Sequence, residues 1–221
     1  MNSHSRLPAV LVLLALMGGT AMRAQSEQSP ETLARKLQQR YDGVQDFRAD
    51  FSQVTRREVT RTQNRAEGTI AVKKPGLVRM VYTSPEKKEV VHDGTYVFDY
   101  VPQDRTVIKT PVPADQEAPT AMLFLSGKGD ILRDFVPSHT VSPLEGTIAL
   151  KLTPRKAERD YEYLIVALDP TSLQIKGLVT HNELGGETRI AFSNLKENTG
   201  IRASTFAFDV PRGVDVLQPR R

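Results

Sequence analysis

From residue 47 the chain alternates. Phe47, Ala49 and Phe51 are apolar with Arg48, Asp50 and Ser52 between them, the two-residue period of a half-buried strand. Just upstream the period is helical: Leu33, Leu37, Tyr41 and Val44 recur at steps of four and three against Arg, Lys and Gln. Ser29 as N-cap, Pro30 at the first helical position and Glu31 in the first turn mark where that helix starts, and Gly43 marks its end. After it nearly every patterned stretch reads as a strand. Residues 66–74 pair with 47–56, 89–92 and 95–100 flank the Asp93-Gly94 hairpin signal, and Thr106-Val107-Ile108 follows the turn at Pro102-Gln103-Asp104. Further strands are expected at 147–153, 161–168, 173–181, 187–195 and 203–209. Such spacing, with no helices alternating with the strands, predicts a meandering antiparallel sheet of about ten strands.

Two stretches break the simple pattern. In "GTIAVKKPGLVRMVY" (68–82), Lys74-Pro75-Gly76 separates two strands, and the second carries Val78, Met80 and Tyr82 on one face and Leu77, Arg79 and Val81 on the other. Neither face is cleanly polar. Either helices and a sheet edge cover both faces, or one face lines a partly filled cavity, and periodicity does not choose between them. The second stretch, "APTAMLFLSGKGDILRDF" (118–135), opens at Pro119, runs through consecutive apolar residues to Leu125, stops at Gly127 and makes a short turn over 130–135. It reads as a core helix or as a lid over a cavity.

The N-terminus changes the picture of where the protein works. Arg6 precedes an apolar run from Leu7 to Met17, followed by small residues up to Ala24. That is the layout of a secretory signal peptide, with a run shorter than the roughly 20 apolar residues of a spanning helix. We therefore expect a signal peptide over 1–24, cleaved after Ala21 or Ala24, and a single domain over 25–221. An uncleaved membrane anchor or a buried helix is the alternative. The chain has no cysteine, which excludes a disulfide framework, a thiolate metal site and lipid attachment at a cysteine. Its net charge of +4 loses two with Arg6 and Arg23, too mild a balance for nucleic-acid binding. The Arg-rich stretch 55–65 reads as a solvated hairpin.

Candidate chemistry is sparse. His92, His139 and His181 show no metal-ligand spacing, and there is no Gly-x-Ser-x-Gly elbow, phosphate-binding Gly loop or calcium loop. Asp93 and Asp99 straddle a hairpin, but turn geometry accounts for Asp93, and no enzyme is expected. A secreted lipid hydrolase would need a nucleophile and base meeting only in space.

In order and spacing, "DFRADFSQVT", "GTIAVKKPGLVRMVY", "SPEKKEVVHDGTYVFDYVP", the apolar segment after Pro119 and "FAFDVPRGVDV" (206–216) resemble the periplasmic lipoprotein carrier family, LolA. The resemblance implies a mainly β fold with a few helices, an incomplete, half-open antiparallel β-barrel of about eleven strands with an α-helical lid. It implies a periplasmic chaperone without cofactor, a monomer that takes acylated lipoproteins from an inner-membrane ABC-type release complex to an outer-membrane acceptor. Phe47, Phe51, Ile70, Val72, Val78, Met80, Val90, Phe98, Met122 and Leu125 are then candidates for the acyl-chain cavity or its lid. Lys74 stands where the family usually has the arginine that latches the lid, and Ala71, Met80 and Phe98 stand where it often has tryptophans. A carrier of another lipid, a lipoprotein-sensing regulator on the same half-barrel, and an envelope protein with a filled barrel are the competing readings.

Overall fold

The structure, a computed structural model, describes residues 28–112, 129–157 and 161–218. Helix α1 (Pro30–Asp42) begins where the sequence places it: Ser29 Oγ accepts from the amide of Thr32, Pro30 fills the first position, and Leu33, Ala34, Leu37 and Tyr41 form its buried stripe. It ends at Gly43, whose amide reaches the carbonyl of Arg40.

Six strands follow as a meander: β1 (Asp46–Arg57), β2 (Thr62–Lys73), β3 (Leu77–Ser84), β4 (Lys88–His92), β5 (Tyr96–Val101) and β6 (Thr106–Pro111). At the β4–β5 turn Gly94 has φ +96°, a conformation open to glycine, and Asp93 Oδ1 accepts from the amides of Thr95 and Tyr96. A one-turn helix α2 (Ile131–Asp134) leads into a second meander of β7 (Phe135–His139), β8 (Ile148–Pro154), β9 (Tyr163–Leu168), β10 (Ile175–His181) and β11 (Glu187–Glu197). Pairing of β1 with β11 joins the two meanders. The C-terminal β12 (Asp215–Leu217) lies parallel to β6, so the sheet runs β12-β6-β5-β4-β3-β2-β1-β11-β10-β9-β8-β7 and does not close.

The fold is thus mainly β, an open, barrel-like sheet of twelve strands among the described residues rather than about eleven, and mixed rather than wholly antiparallel because of β12. One of the expected strands needs correcting. Residues 203–209 alternate like a strand but form a 3-10 turn over Ala203–Phe206 and then irregular chain. The short turn expected over 130–135 is α2, and the strand that follows it, β7, was not among the expected elements; its Pro137 is tolerated at a sheet edge. Met122 and Leu125, with the expected segment 118–128, lie outside the described residues, as does the expected signal peptide.

The register settles where the two faces of β3 go. Val78, Met80 and Tyr82 share the inner face with Val72, Ile70 and Gly68 of β2 and with His92, Val90 and Lys88 of β4. This face carries the main core, in which α1 packs with Ile131 and Phe135 against Phe47, Phe51, Leu150, Leu152, Leu164, Val166, Leu178 and Phe192. On the outer face, Val91, Phe98 and Val107 form a second cluster covered by Phe208 and Val214 from the chain after β11. Arg79, pointing to this face, donates to the carbonyls of Thr205 (2.8 Å) and Ala207 (3.3 Å) and pairs with Glu89. Both faces of β3 are therefore covered by the chain itself, the inner by helix and sheet, the outer by a C-terminal strap.

Candidate functional site

The inner wall is built from alternate residues of adjacent strands. Directly paired residues point the same way, so Phe47–Val72–Val78 make one row and Ala49–Ile70–Met80–Val90 the next. In the third row Phe51 and Tyr82 meet edge to face across Gly68, ring centroids 5.0 Å apart. Glycine is required there, because a Cβ would sit 2.1 Å from the Val81 carbonyl oxygen and 2.9 Å from the Phe51 ring. Phe47, Phe51, Ile70, Val72, Val78 and Met80 are all buried in this wall, and Val90 packs at its margin.

Phe98 is placed elsewhere. It pairs with Val91 on the outer face and stacks on Phe208 at 5.0 Å, so it belongs to the surface sealed by the strap. The second half of the inner wall, from Leu150 through Leu178 to Phe192, was absent from the sequence candidates. Its signal was present in the apolar positions of 148–154 and the continuous apolar run 163–168, but nothing in the sequence alone says that β11 folds back beside β1.

Lys74 sits at the end of β2 beneath the C-terminus of α1. Its ammonium donates to the carbonyl oxygen of Tyr41 and lies over the Tyr41 ring, 3.5 Å from the centroid. A cation there meets both the negative end of a helix dipole and a π face. Burial nonetheless pulls the Lys74 pKa down to about 8, against Asp42 and Glu197, which raise it, and with Arg40, which lowers it further. Neighbouring ties hold the same end of α1: Arg40 pairs with Glu197 at 2.6 Å and donates to the Ser172 carbonyl at 2.8 Å, and Gln38 accepts from the amide of Ile131.

Along the strands the inner face grades from apolar to polar. Beyond Met80 and Val90 come Tyr82, whose hydroxyl donates to Gln53 Oε1 at 3.3 Å, and the ion pair of Lys88 with Asp99 at 2.7 Å. Each of the paired side chains is about one-third exposed, at 34% and 33%. Burial, and secondarily the charge of Asp99, raises the Tyr82 pKa. Among the described residues no cluster of His, Cys, Asp and Glu is arranged to hold a metal, and no helix is long and apolar enough to cross a membrane.

Comparison with known proteins agrees with this geometry. The chain is 31% identical to the outer-membrane lipoprotein carrier protein of Pseudomonas entomophila over 94% of its length and 98% of that protein's. It is 30% identical to the protein of the same name from Bordetella avium, covering 97% of each. An uncharacterized conserved protein from Thermus thermophilus shares the fold, with a TM-score of 0.53 at 12% identity over 84% of this chain and 99% of that one. The model of the family described as outer membrane lipoprotein carrier protein LolA matches residues 42–209. With three-quarters of its length inside that match and its inner wall, turn signals and C-terminal strap all falling within or beside it, the chain belongs to the LolA family of outer membrane lipoprotein carrier proteins.

Proposed function

We propose that this protein is a periplasmic chaperone that shields the acyl chains of a lipoprotein on its inner face between an inner-membrane ABC-type release complex and an outer-membrane acceptor. The observation that carries the reading is the continuous apolar inner wall, spanning both meanders and packed, among the described residues, against the apolar stripe of α1 together with Ile131 and Phe135. Each acyl CH₂ removed from water is worth about 0.8 kcal/mol, so lipoprotein chains need such a surface to cross an aqueous compartment. The wall is packed under α1, so a ligand gains access by displacing that helix and exchanging its contacts for acyl chains. Such an exchange leaves a modest net affinity, which suits a carrier that must let go. Lys74 is the latch in this reading, since it ties the α1 C-terminus to the end of β2.

The reaction asked of the protein is binding and release, which uses no catalytic group. The test is native mass spectrometry of the protein purified from the periplasm of cells expressing the whole chain, with identification of co-purified species. Acylated lipoproteins bound to the native protein and lost from Met80→Glu support the reading. Their absence, or binding indifferent to Met80→Glu, refutes it.

A further inference from the structure

The ion pair and phenol on the inner face stand out because an apolar carrier surface gains nothing from desolvating them. Lys88 and Asp99 lie on β4 and β5 at positions paired with Tyr82 and Val90, so one step along the sheet separates the hydrocarbon wall from two formal charges. The Lys88 ammonium has three donors and uses one on Asp99 Oδ2. Asp99 Oδ1 is buried and has no hydrogen-bond partner. The Tyr82 oxygen, having given its proton to Gln53, still offers lone pairs. A belt with donors and acceptors both left over matches a ligand group presenting acceptors and donors side by side.

We infer that Lys88, Asp99 and Tyr82 form a polar subsite that reads the diacylglyceryl-cysteine head of the cargo, with ester carbonyls accepting from Lys88 and an amide N–H donating to Asp99 Oδ1. This rests on the carrier reading and adds a specificity to it. The spacing fits: Val78 to Tyr82 is four residues, about 13 Å at the strand rise, so a tail against Val78 and Met80 brings its polar end to the belt. Hydrocarbon alone carries no information about what it is attached to. A belt of this kind lets the protein distinguish a lipoprotein's head from other amphiphiles with the same tails.

The test uses two probes on protein purified from cells expressing the whole chain. N-phenylnaphthylamine, uncharged and without ester or amide, reports the apolar wall, and a dipalmitoylglyceryl-cysteine peptide displaces it. The double variant Lys88→Met, Asp99→Leu removes both charges while keeping volume, an exchange that leaves folding near neutral. We expect its affinity for the naphthylamine to stay within about twofold of wild type and its affinity for the lipopeptide to fall about tenfold, about 1.4 kcal/mol. An unchanged lipopeptide affinity, or an equal loss for both probes in the double variant and in Lys88→Met alone, overturns the subsite and leaves the carrier reading standing. A wild-type protein that binds neither probe overturns both.

Discussion

Asp46, at the first position of β1, offers the sharpest test of how the outer-face strap is rooted. Its carboxylate is buried and accepts four hydrogen bonds: from the amide (2.7 Å) and hydroxyl (3.1 Å) of Thr199, and from the amides of Gly200 (3.0 Å) and Ile201 (3.2 Å). The Asp46 carbonyl also takes the amide of Asn198. The chain leaving β11 is thereby fastened to the start of β1. Asp46→Ala strands three amides around a buried site. Hydrogen bonds to a charged acceptor contribute about 1.5–3 kcal/mol each, but four bonds to one group are not additive and the carboxylate's own burial offsets part of them. A net loss of about 3 kcal/mol is expected, read as a lower urea midpoint with unchanged m-value in far-UV circular dichroism. Asp46→Asn keeps the shape but turns an NH₂ towards the amide donors, and should lose a comparable amount.

The pH dependence supplies the sign. Burial alone pushes the Asp46 carboxyl up, but the bonds from Thr199, Ile201 and Gly200 outweigh it and hold the pKa below the ordinary carboxylate value. Stability from Asp46 is therefore fully present above the unfolded-state value of about 3.9 and is lost as pH falls through the lower folded-state value. The gap between wild type and Asp46→Asn should be constant from pH 5 to 7 and shrink below about pH 3.9. A loss under about 0.5 kcal/mol at pH 7, ordinary for an exposed substitution, would refute the rooting role. So would a gap that does not narrow in acid.

Three further outcomes follow from the geometry. Gly68→Ala puts a methyl 2.1 Å from the Val81 carbonyl, and should lower stability by about 2–4 kcal/mol in urea titration, well beyond the usual effect of a glycine replacement in a strand. Arg79→Ala removes the donor to the Thr205 and Ala207 carbonyls, at a cost of about 1–2 kcal/mol; hydrogen exchange should accelerate over 203–217 and stay unchanged in the β1–β2 hairpin. Lys74, with its pKa lowered to about 8, binds its proton less tightly in the folded state than the unfolded value of about 10.4. Wild type should therefore gain stability over Lys74→Met as pH rises from about 8 to 10.4, and a flat difference across that window would exclude a half-buried ammonium.

How much of this was legible in the sequence depends on whether the information was local. Helix α1 was readable to the residue because Ser29, Pro30 and the Leu33–Leu37–Tyr41 stripe are local signals, and the first meander was readable because consecutive strands pair through short turns. The alternation of Phe206 and Phe208 was misleading. It arises from a strap in which Phe206 is buried at the end of a 3-10 turn and Phe208 packs on the outer cluster. Phe98 shows a signal present but unused: a two-residue turn at Asp93-Gly94 would set it opposite Glu89, and the observed register sets it opposite Val91. In either register it faces away from Val90. The belt was out of reach for another reason, since Gln53, Tyr82, Lys88 and Asp99 come from four strands and acquire meaning only once pairing puts them on one face.

The two apolar faces of the sheet are secured in different ways, and the difference bears on function. The outer face is closed by covalent continuity, by the Asp46 anchor, by Arg79 on two strap carbonyls, by Phe208 stacked on Phe98 and by pairing of β12 with β6. These ties are spread along the whole strap, so no single rupture bares the surface. Among the described residues the inner face is covered by α1 with Ile131 and Phe135, and the polar ties of α1 to the sheet and to α2 gather at Gln38, Arg40 and Tyr41 in its last turns, while Leu33, Ala34 and Leu37 belong to the apolar core. Acyl chains offer those residues' partners the same apolar contact, whereas nothing in a lipid tail replaces the hydrogen bonds of the strap. On the carrier reading, a hydrophobic ligand therefore competes with α1 and not with the strap. One sheet can in this way present a single exchangeable apolar surface and keep the other sealed while it crosses water.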